Sequence, residues 1–260
     1  MKKAIALLLL SVFAFNAQAA EDEKAWSLSI DQTFSDKYVW RGQQYNEEGV
    51  NQGSVDFSYD FGDYGTFGVN FWYNLALDNE NTGTASNDLG AGNFSEFDYT
   101  VYWTKSYGAL TLGAGHIYYD FAQVNNGSTR EVYISAAYET AFFTPSVTVY
   151  YDYEDVDGFY VDFEIGRSFD LGVADMTLDL SAHLGWADDD QSSFYYNGDG
   201  AGFSDYSLKA AVNIPVTENI TITPSVTYYA LIGDANSDSA NNVNFEDDDF
   251  VFAINLNLSF

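Results

Sequence analysis

The sequence predicts an all-β fold: a transmembrane antiparallel β-barrel of twelve strands in up-and-down order. Apolar side chains recur at every second position in one segment after another, and short and long connections alternate between those segments. Beyond residue 19 no stretch approaches eighteen consecutive apolar residues, so a membrane-spanning helix is excluded.

Met1 to Ala19 reads as a secretory signal peptide. Lys2 and Lys3 form its positive end, Ala4 to Phe15 its apolar core and Ala17-Gln18-Ala19 its small-residue cleavage pattern. Residues 20–260 are then one barrel domain, exported by the general secretory route to a bacterial outer membrane. The formal net charge of −30 becomes −32 once Lys2 and Lys3 leave with the leader. So acidic a chain releases no counterions from nucleic acid, which excludes that class of partner. There is no cysteine, so disulfides do not hold the exported chain together.

The strands follow in order. The first sets Trp26, Leu28, Ile30 and Phe34 against Ser27, Ser29, Asp31 and Thr33. The second sets Val55, Phe57, Tyr59 and Phe61 against Ser54, Asp56, Ser58 and Asp60. The third shows Phe67, Val69, Phe71, Tyr73 and Leu75 on one face, and the fourth Phe97, Tyr99, Val101 and Trp103. Leu110, Leu112, Ala114 and Tyr118 mark the fifth; Val132, Ile134, Ala136 and Tyr138 mark the sixth. The seventh carries Val147, Val149, Tyr151 and Tyr153, and the eighth Phe159, Val161, Phe163 and Ile165. Met176, Leu178, Leu180, Ala182, Leu184 and Trp186 define the ninth. Tyr206, Leu208, Ala210, Val212 and Ile214 define the tenth, and Ile220, Ile222, Val226 and Tyr228 the eleventh. The twelfth alternates Phe250, Phe252, Ile254, Leu256, Leu258 and Phe260 with small or polar residues. An aromatic C-terminus is what such barrels offer their assembly machinery, so Phe260 is the expected contact with it.

Connections 62–66, 105–109, 140–144, 168–175 and 215–219 are short, as periplasmic turns are. Between them lie 36–51, 76–93, 121–129, 187–204 and 232–248, all longer; 155–157 is the one tight outer connection. Pro145 starts its strand, whereas Pro224 falls mid-strand and predicts a bulge or a weakened pairing.

The two faces differ in charge. No acid falls in a lipid-facing register, which suits a wall where a midplane charge costs about 2–4 kcal/mol. Lys24, Lys105, Arg130 and Arg167 face out only at strand ends, and His116 is the polar outlier beside Tyr118. Inward by register are Asp31, Asp56, Asp60, Asp98, Glu131, Glu139, Asp152, Glu154, Asp162, Glu164 and Asp179, with Lys209 the one inward base in a strand. One lysine cannot pair so many carboxylates. Either water and cations fill the lumen, or several carboxylates are protonated. A wet acidic lumen admits neutral and cationic solutes better than anions.

Ser35-Asp36-Lys37-Tyr38-Val39-Trp40-Arg41-Gly42, followed by Gln43 and Gln44, resembles the opening signature of the TorF-like (Gcw_chp) family of porins. The continuation Val50-Asn51-Gln52-Gly53 into Val55-Asp56-Phe57-Ser58-Tyr59 is similar too, and the likeness covers roughly residues 25–75. It implies an outer-membrane barrel with a porin role and carries over no catalytic residue. Within the motif, Arg41 either folds inward onto lumen carboxylates such as Asp56 or sits at headgroup level between Trp40 and Tyr38.

Ser181, His183 and Asn213 are the parts of a hydrolase, but outer-membrane phospholipases place such parts on the lipid face with histidine before serine. Neither condition holds, so no enzyme and no cofactor is expected. Asp188-Asp189-Asp190 and Glu246-Asp247-Asp248-Asp249 are acidic loop runs that either bind divalent cations or remain solvated charge. The expected function is a passive channel for small hydrophilic solutes, in contact with lipid and lipopolysaccharide. The alternative is a closed structural or adhesive barrel whose acidic outer loops bind surface partners or divalent cations.

Overall fold

The structure is a computed structural model that describes residues 25–78, 91–121, 127–232 and 248–260. The expected leader and Lys24 lie outside the described residues.

Twelve strands close into a barrel in which every neighbouring pair is antiparallel. In chain order they are β1 (Trp26–Ser35), β4 (Val50–Asp60), β5 (Thr66–Ala76), β6 (Phe94–Tyr107), β7 (Leu110–Phe121), β8 (Gly127–Tyr138), β9 (Thr144–Asp152), β10 (Gly158–Asp170), β11 (Thr177–Ala187), β12 (Gly202–Thr217), β13 (Ile220–Leu231) and β14 (Asp248–Ser259). Between β1 and β4, β2 (Tyr38–Trp40) and β3 (Gln43–Asn46) pair only with each other. The one α-helix among the described residues, α1 (Asp189–Tyr196), joins β11 to β12. Closure comes from β1, which pairs with β14 on one edge and β4 on the other. Trp26 and Phe260 therefore lie at the end of the short turns.

The strand count, the order and the outward faces agree with the sequence reading. Phe34, Val101, Ile134, Leu208 and Phe252 are each more than half exposed, 65% for Ile134. In water such a surface would be costly, at about 25 cal/mol per Å² of apolar area. Against acyl chains it costs nothing, which is why the alternation specifies a membrane wall.

Several strands run into the expected connections, β6 to Tyr107 and β10 to Asp170 among them. β4 begins at Val50, so part of the expected first loop is strand. β12 runs to Thr217 and carries a register shift between Pro215 and Thr217. The effect of Pro224 is visible as well. It stays opposite Ile254 on β14, while towards β12 the ladder passes from Ala211–Ser225 to Ile214–Ile222 without pairing Pro224. A proline without an N–H cannot serve both neighbours.

Glycines on the inner face make room for tyrosines. A Cβ on Gly68 would collide with the Tyr102 ring, and one on Gly115 would come within 2.5 Å of the Tyr133 ring. Each ring therefore lies flat across the adjacent strand, covering backbone that glycine leaves bare.

Candidate functional site

The site is the lumen, and the chain itself fills one end of it. The β2–β3 hairpin touches inner-face side chains around the barrel. Asn74 of β5 donates to Asn46 Oδ1 at 2.8 Å and Tyr229 of β13 donates to Gln44 Oε1 at 2.8 Å. Trp40 packs edge-on against Tyr119 of β7 at 6.3 Å between centroids, and Tyr38 against Trp72 of β5 at 5.6 Å. Only a segment inside the barrel reaches all these walls.

The hairpin turns at Arg41 and Gly42, with φ of 48° and 74°. Gly42 is required twice over. Its φ is left-handed, and a Cβ there would lie 2.5 Å from Asp205 Cβ and 2.7 Å from Leu231 Cδ2. At this tip Arg41 donates from both terminal nitrogens to Glu131, each at 2.8 Å, and Glu131 also accepts from Tyr119 Oη at 2.8 Å. The guanidinium carbon lies 4.2 Å from the Trp40 centroid, 4.2 Å from Tyr160 and 4.8 Å from Tyr150. Burial alone would lower the Arg41 pKa, but the Glu131 charge outweighs it and holds the group above the usual arginine range. A bidentate pair that is this buried and this fully bonded is a strong latch, because removing either partner strands a charge.

Helix α1 braces the hairpin from the loop end. Asp188 caps it, accepting from Gln191 N at 2.9 Å while its other oxygen accepts from Phe159 N at 2.8 Å. Tyr195 packs on Trp40 at 5.2 Å, and Tyr196 Oη donates to the Arg41 carbonyl at 3.0 Å. Burial pushes both tyrosine hydroxyls up, which keeps them neutral donors.

Below the latch the carboxylates find varied partners. His183 faces Asp162 through Nδ1 at 2.6 Å and Asp205 through Nε2 at 2.8 Å; Asp205 also accepts from Ser204 Oγ at 2.7 Å and Tyr160 Oη at 3.0 Å. Asp31 accepts from Asn257 at 2.9 Å and Asp56 from Tyr102 at 2.7 Å. Asp179 accepts from Asn213 at 2.6 Å. Glu164 and Lys209 are on the same inner face, opposite His183 and Ser181 respectively. Asp98 sits opposite Trp72 on that face, beside Glu96. Asp152 is fully buried at the top of β9, where it accepts from Thr129 Oγ1 at 2.6 Å and caps the tight turn through Glu154 N at 3.0 Å.

Of the expected inward acids one faces outward and two are exposed at the turn-side rim. Glu154 lies beyond β9 and pairs outward with Arg130, whose guanidinium stacks on Tyr118. Asp60 is exposed at the end of β4 and caps the following turn by accepting from Gly62 N at 2.8 Å. Glu139 is exposed past the end of β8. Glu139 and Glu154 lie just past the last paired residues of their strands, where alternation no longer fixes direction, whereas Asp60 is still paired, opposite Thr66. Of the two alternatives for Arg41 the structure has the inward one, and the lumen carboxylate it meets is Glu131 rather than Asp56.

Glu96 and Asp205 were missed. Glu96 shares a register with Asp98, and Asp205 with Ser207 and Lys209, so period two would have found both. His183 is committed to two carboxylates and makes no bond to Ser181, while Asn213 bonds Asp179, so the hydrolase parts are not assembled. His116 on the outer wall lies 2.7 Å from Tyr153 Oη. The acidic run at 188–190 serves α1, with Asp189 accepting from Ala201 N at 2.6 Å. Residues 246 and 247 lie outside the described residues, Asp248 accepts from Tyr228 and Asp249 pairs with Lys37. Among the described residues no group of three or more His, Cys, Asp or Glu could hold a metal ion.

The fold, a closed twelve-stranded antiparallel barrel with an apolar exterior and a polar interior, is shared with solved outer-membrane barrels. The COG4313 outer membrane channel from Pseudomonas putida F1 superposes with a TM-score of 0.56 at 10% identity, over 96% of this chain and 100% of that one. KdgM porin gives 0.51 at 10% identity over 89% of this chain and 99% of its own. NanC porin gives 0.51 at 12% identity over 88% and 98%. No protein-family model and no curated protein sequence matches the chain.

Proposed function

We propose that this chain is a bacterial outer-membrane channel for small hydrophilic, neutral or cationic solutes, held here in a closed state by its own first loop. The short turns then face the periplasm and the long loops the exterior. The observation that carries the reading is the latch: a loop folded back into a carboxylate-lined barrel and fastened by one buried ion pair. Structural likeness to channels and porins supports it. The kinship with TorF-like porins rests on the motif Asp36, Tyr38, Trp40, Arg41 and Gly42, four of whose residues (all but Asp36) lie in the inward hairpin or at its tip. Lipid, lipopolysaccharide and, through β14 and Phe260, the assembly machinery are the partners this location implies.

Planar-bilayer recording under a potassium chloride gradient tests the function. A reversal potential of cation sign is expected, most clearly once residues 37–48 are replaced by a short Gly-Ser link. Anion preference, or silence from both forms, would count against it. The burial of the hairpin favours a second reading, a permanently closed barrel with a structural or surface-binding role. That reading predicts no solute entry in liposome swelling even after the hairpin is removed.

A further inference from the structure

Four tyrosines share one row of the barrel wall. Across neighbouring strands Gly68 lies opposite Tyr102, Tyr102 opposite Gly115, Gly115 opposite Tyr133, Tyr133 opposite Tyr150 and Tyr150 opposite Tyr160. All four side chains face the lumen. Tyr102 reaches Asp56, Tyr133 shares the face of Glu131, and Tyr150 and Tyr160 cover Arg41. Strands in a barrel tilt by about 35–45° from its axis, so a row perpendicular to them climbs as a spiral. This one starts near the turn-side end of β5 and finishes near the loop-side end of β10.

The rings present faces, not edges, at its lower end. Gly68 and Gly115 let Tyr102 and Tyr133 lie flat, one face on the wall and one towards the lumen, and both residues are only half-buried. Tyr133 and Tyr150 follow at 5.6 Å between centroids, and Tyr150 and Tyr160 at 6.3 Å. Carboxylates accompany the row: Asp56 at Tyr102, Glu131 beside Tyr133, and Asp162 on the face of Tyr160.

The upper end already has an occupant. The Arg41 guanidinium lies against Tyr150 and Tyr160 with Glu131 closing its open edge, a cation–π contact completed by a charge-assisted fork. We propose that the tyrosine row is a track for small organic cations carrying a guanidinium or primary ammonium group, and that Arg41 is the chain's own tethered occupant of its end. The inference rests on the channel reading above and names its solute class. A solute of this chemistry that reaches Tyr150 competes with Arg41 for the rings and for Glu131, so solute binding and release of the hairpin are linked. Neutral saccharides also stack on flat rings, but they draw nothing from the carboxylate charge and offer no substitute for a guanidinium.

Planar-bilayer recording of the full mature protein, with agmatine as probe and maltose as neutral control, tests this. Millimolar agmatine on the periplasmic side is expected to raise open probability several-fold, and maltose to leave it unchanged. Tyr133→Leu should weaken the agmatine response about 2- to 5-fold, the range for a partly exposed cation–π contact, whereas Tyr133→Phe keeps the ring face and the response. Heat-shifted mobility on a gel verifies that each variant is folded. An agmatine response equal in Tyr133→Leu and the parent, or an equal response to maltose, overturns the track. The form lacking residues 37–48 separates the two readings. If it passes potassium but neither passes nor is blocked by agmatine, the track falls and the channel stands; if it passes nothing, both fall.

Discussion

The loop-side and turn-side halves of this lumen are built from one alternation, yet they end in different physical states. On the loop side Glu131, Asp152 and Asp205 are all but inaccessible, at 1%, 0% and 1% exposure. Further towards the turns Glu164 is exposed and Asp179 half-buried in the same inward register, while Asp31, bonded by Asn257 and Ser29, stays at 1%. The difference lies in what the chain supplies as partners. Arg41, Thr129, Tyr160, Ser204 and the backbone of the β9–β10 turn complete the upper carboxylates, so that half can dry out. The lower half holds Lys209 and no inward arginine, and an ion left unpaired in a dry interior costs several kcal/mol. Glu164 and Asp179 therefore keep water. A wet vestibule beneath a dry plug follows from where the few bases fall.

Removing the plug should abolish the contrast, and it is the largest effect expected. Replacing residues 37–48 by a short flexible link exposes Glu131 and Asp205 to the same water as Glu164. Single-channel conductance should rise by at least an order of magnitude, with the barrel still shifting in mobility on heating. A conductance unchanged by the deletion would place the constriction elsewhere.

Arg41→Ala attacks the same contrast through one residue. It leaves Glu131 buried without its counter-charge, a loss of about 3–5 kcal/mol for a broken buried pair, part of which is relieved if the hairpin swings out. Urea-induced unfolding in lipid vesicles should show a lower midpoint, and adding Glu131→Gln should restore part of it. If the two losses simply add, the pair is not coupled and the latch is wrongly assigned.

How far such contrasts could be read from the chain depends on the length scale. Period two identifies the wall, because Ile134 and Leu208 must face lipid whatever the rest of the fold does. It fails past strand ends, where Glu139 and Glu154 leave the ladder and alternation no longer fixes direction. It also cannot choose Glu131 over Asp56 for Arg41, since that choice depends on where a hairpin tip arrives across the barrel, a distance no local pattern encodes. Gly42 beside Arg41 was the one local hint that the backbone must turn tightly there.

The inner and outer walls provide the next comparison. Ile134→Lys places a charge on the lipid face, at about 2–4 kcal/mol near the midplane, whereas Ser135→Lys on the adjacent inner position meets water and carboxylates. Refolding into vesicles over a urea series should separate the two variants by most of that amount. Equal losses would mean that the lower lumen is as dry as the plug. Gly42→Ala should cost somewhat less, about 1–3 kcal/mol for a forced backbone and a contact at 2.5 Å with Asp205, read as raised open probability in the bilayer.

The smallest expected effect sharpens the boundary between the two halves. Asp188→Ala removes the cap of α1 and the acceptor for Phe159 N, a change of about 0.5–2 kcal/mol for an N-cap. The barrel wall does not depend on Asp188, so global unfolding should move little. What should move is local. Once α1 frays, Tyr195 withdraws from Trp40 and Tyr196 from the Arg41 carbonyl, and hydrogen exchange should accelerate in residues 189–196 and 38–46 together. Exchange that accelerates in the helix alone would show that the hairpin holds its place by the Arg41–Glu131 pair without bracing from above.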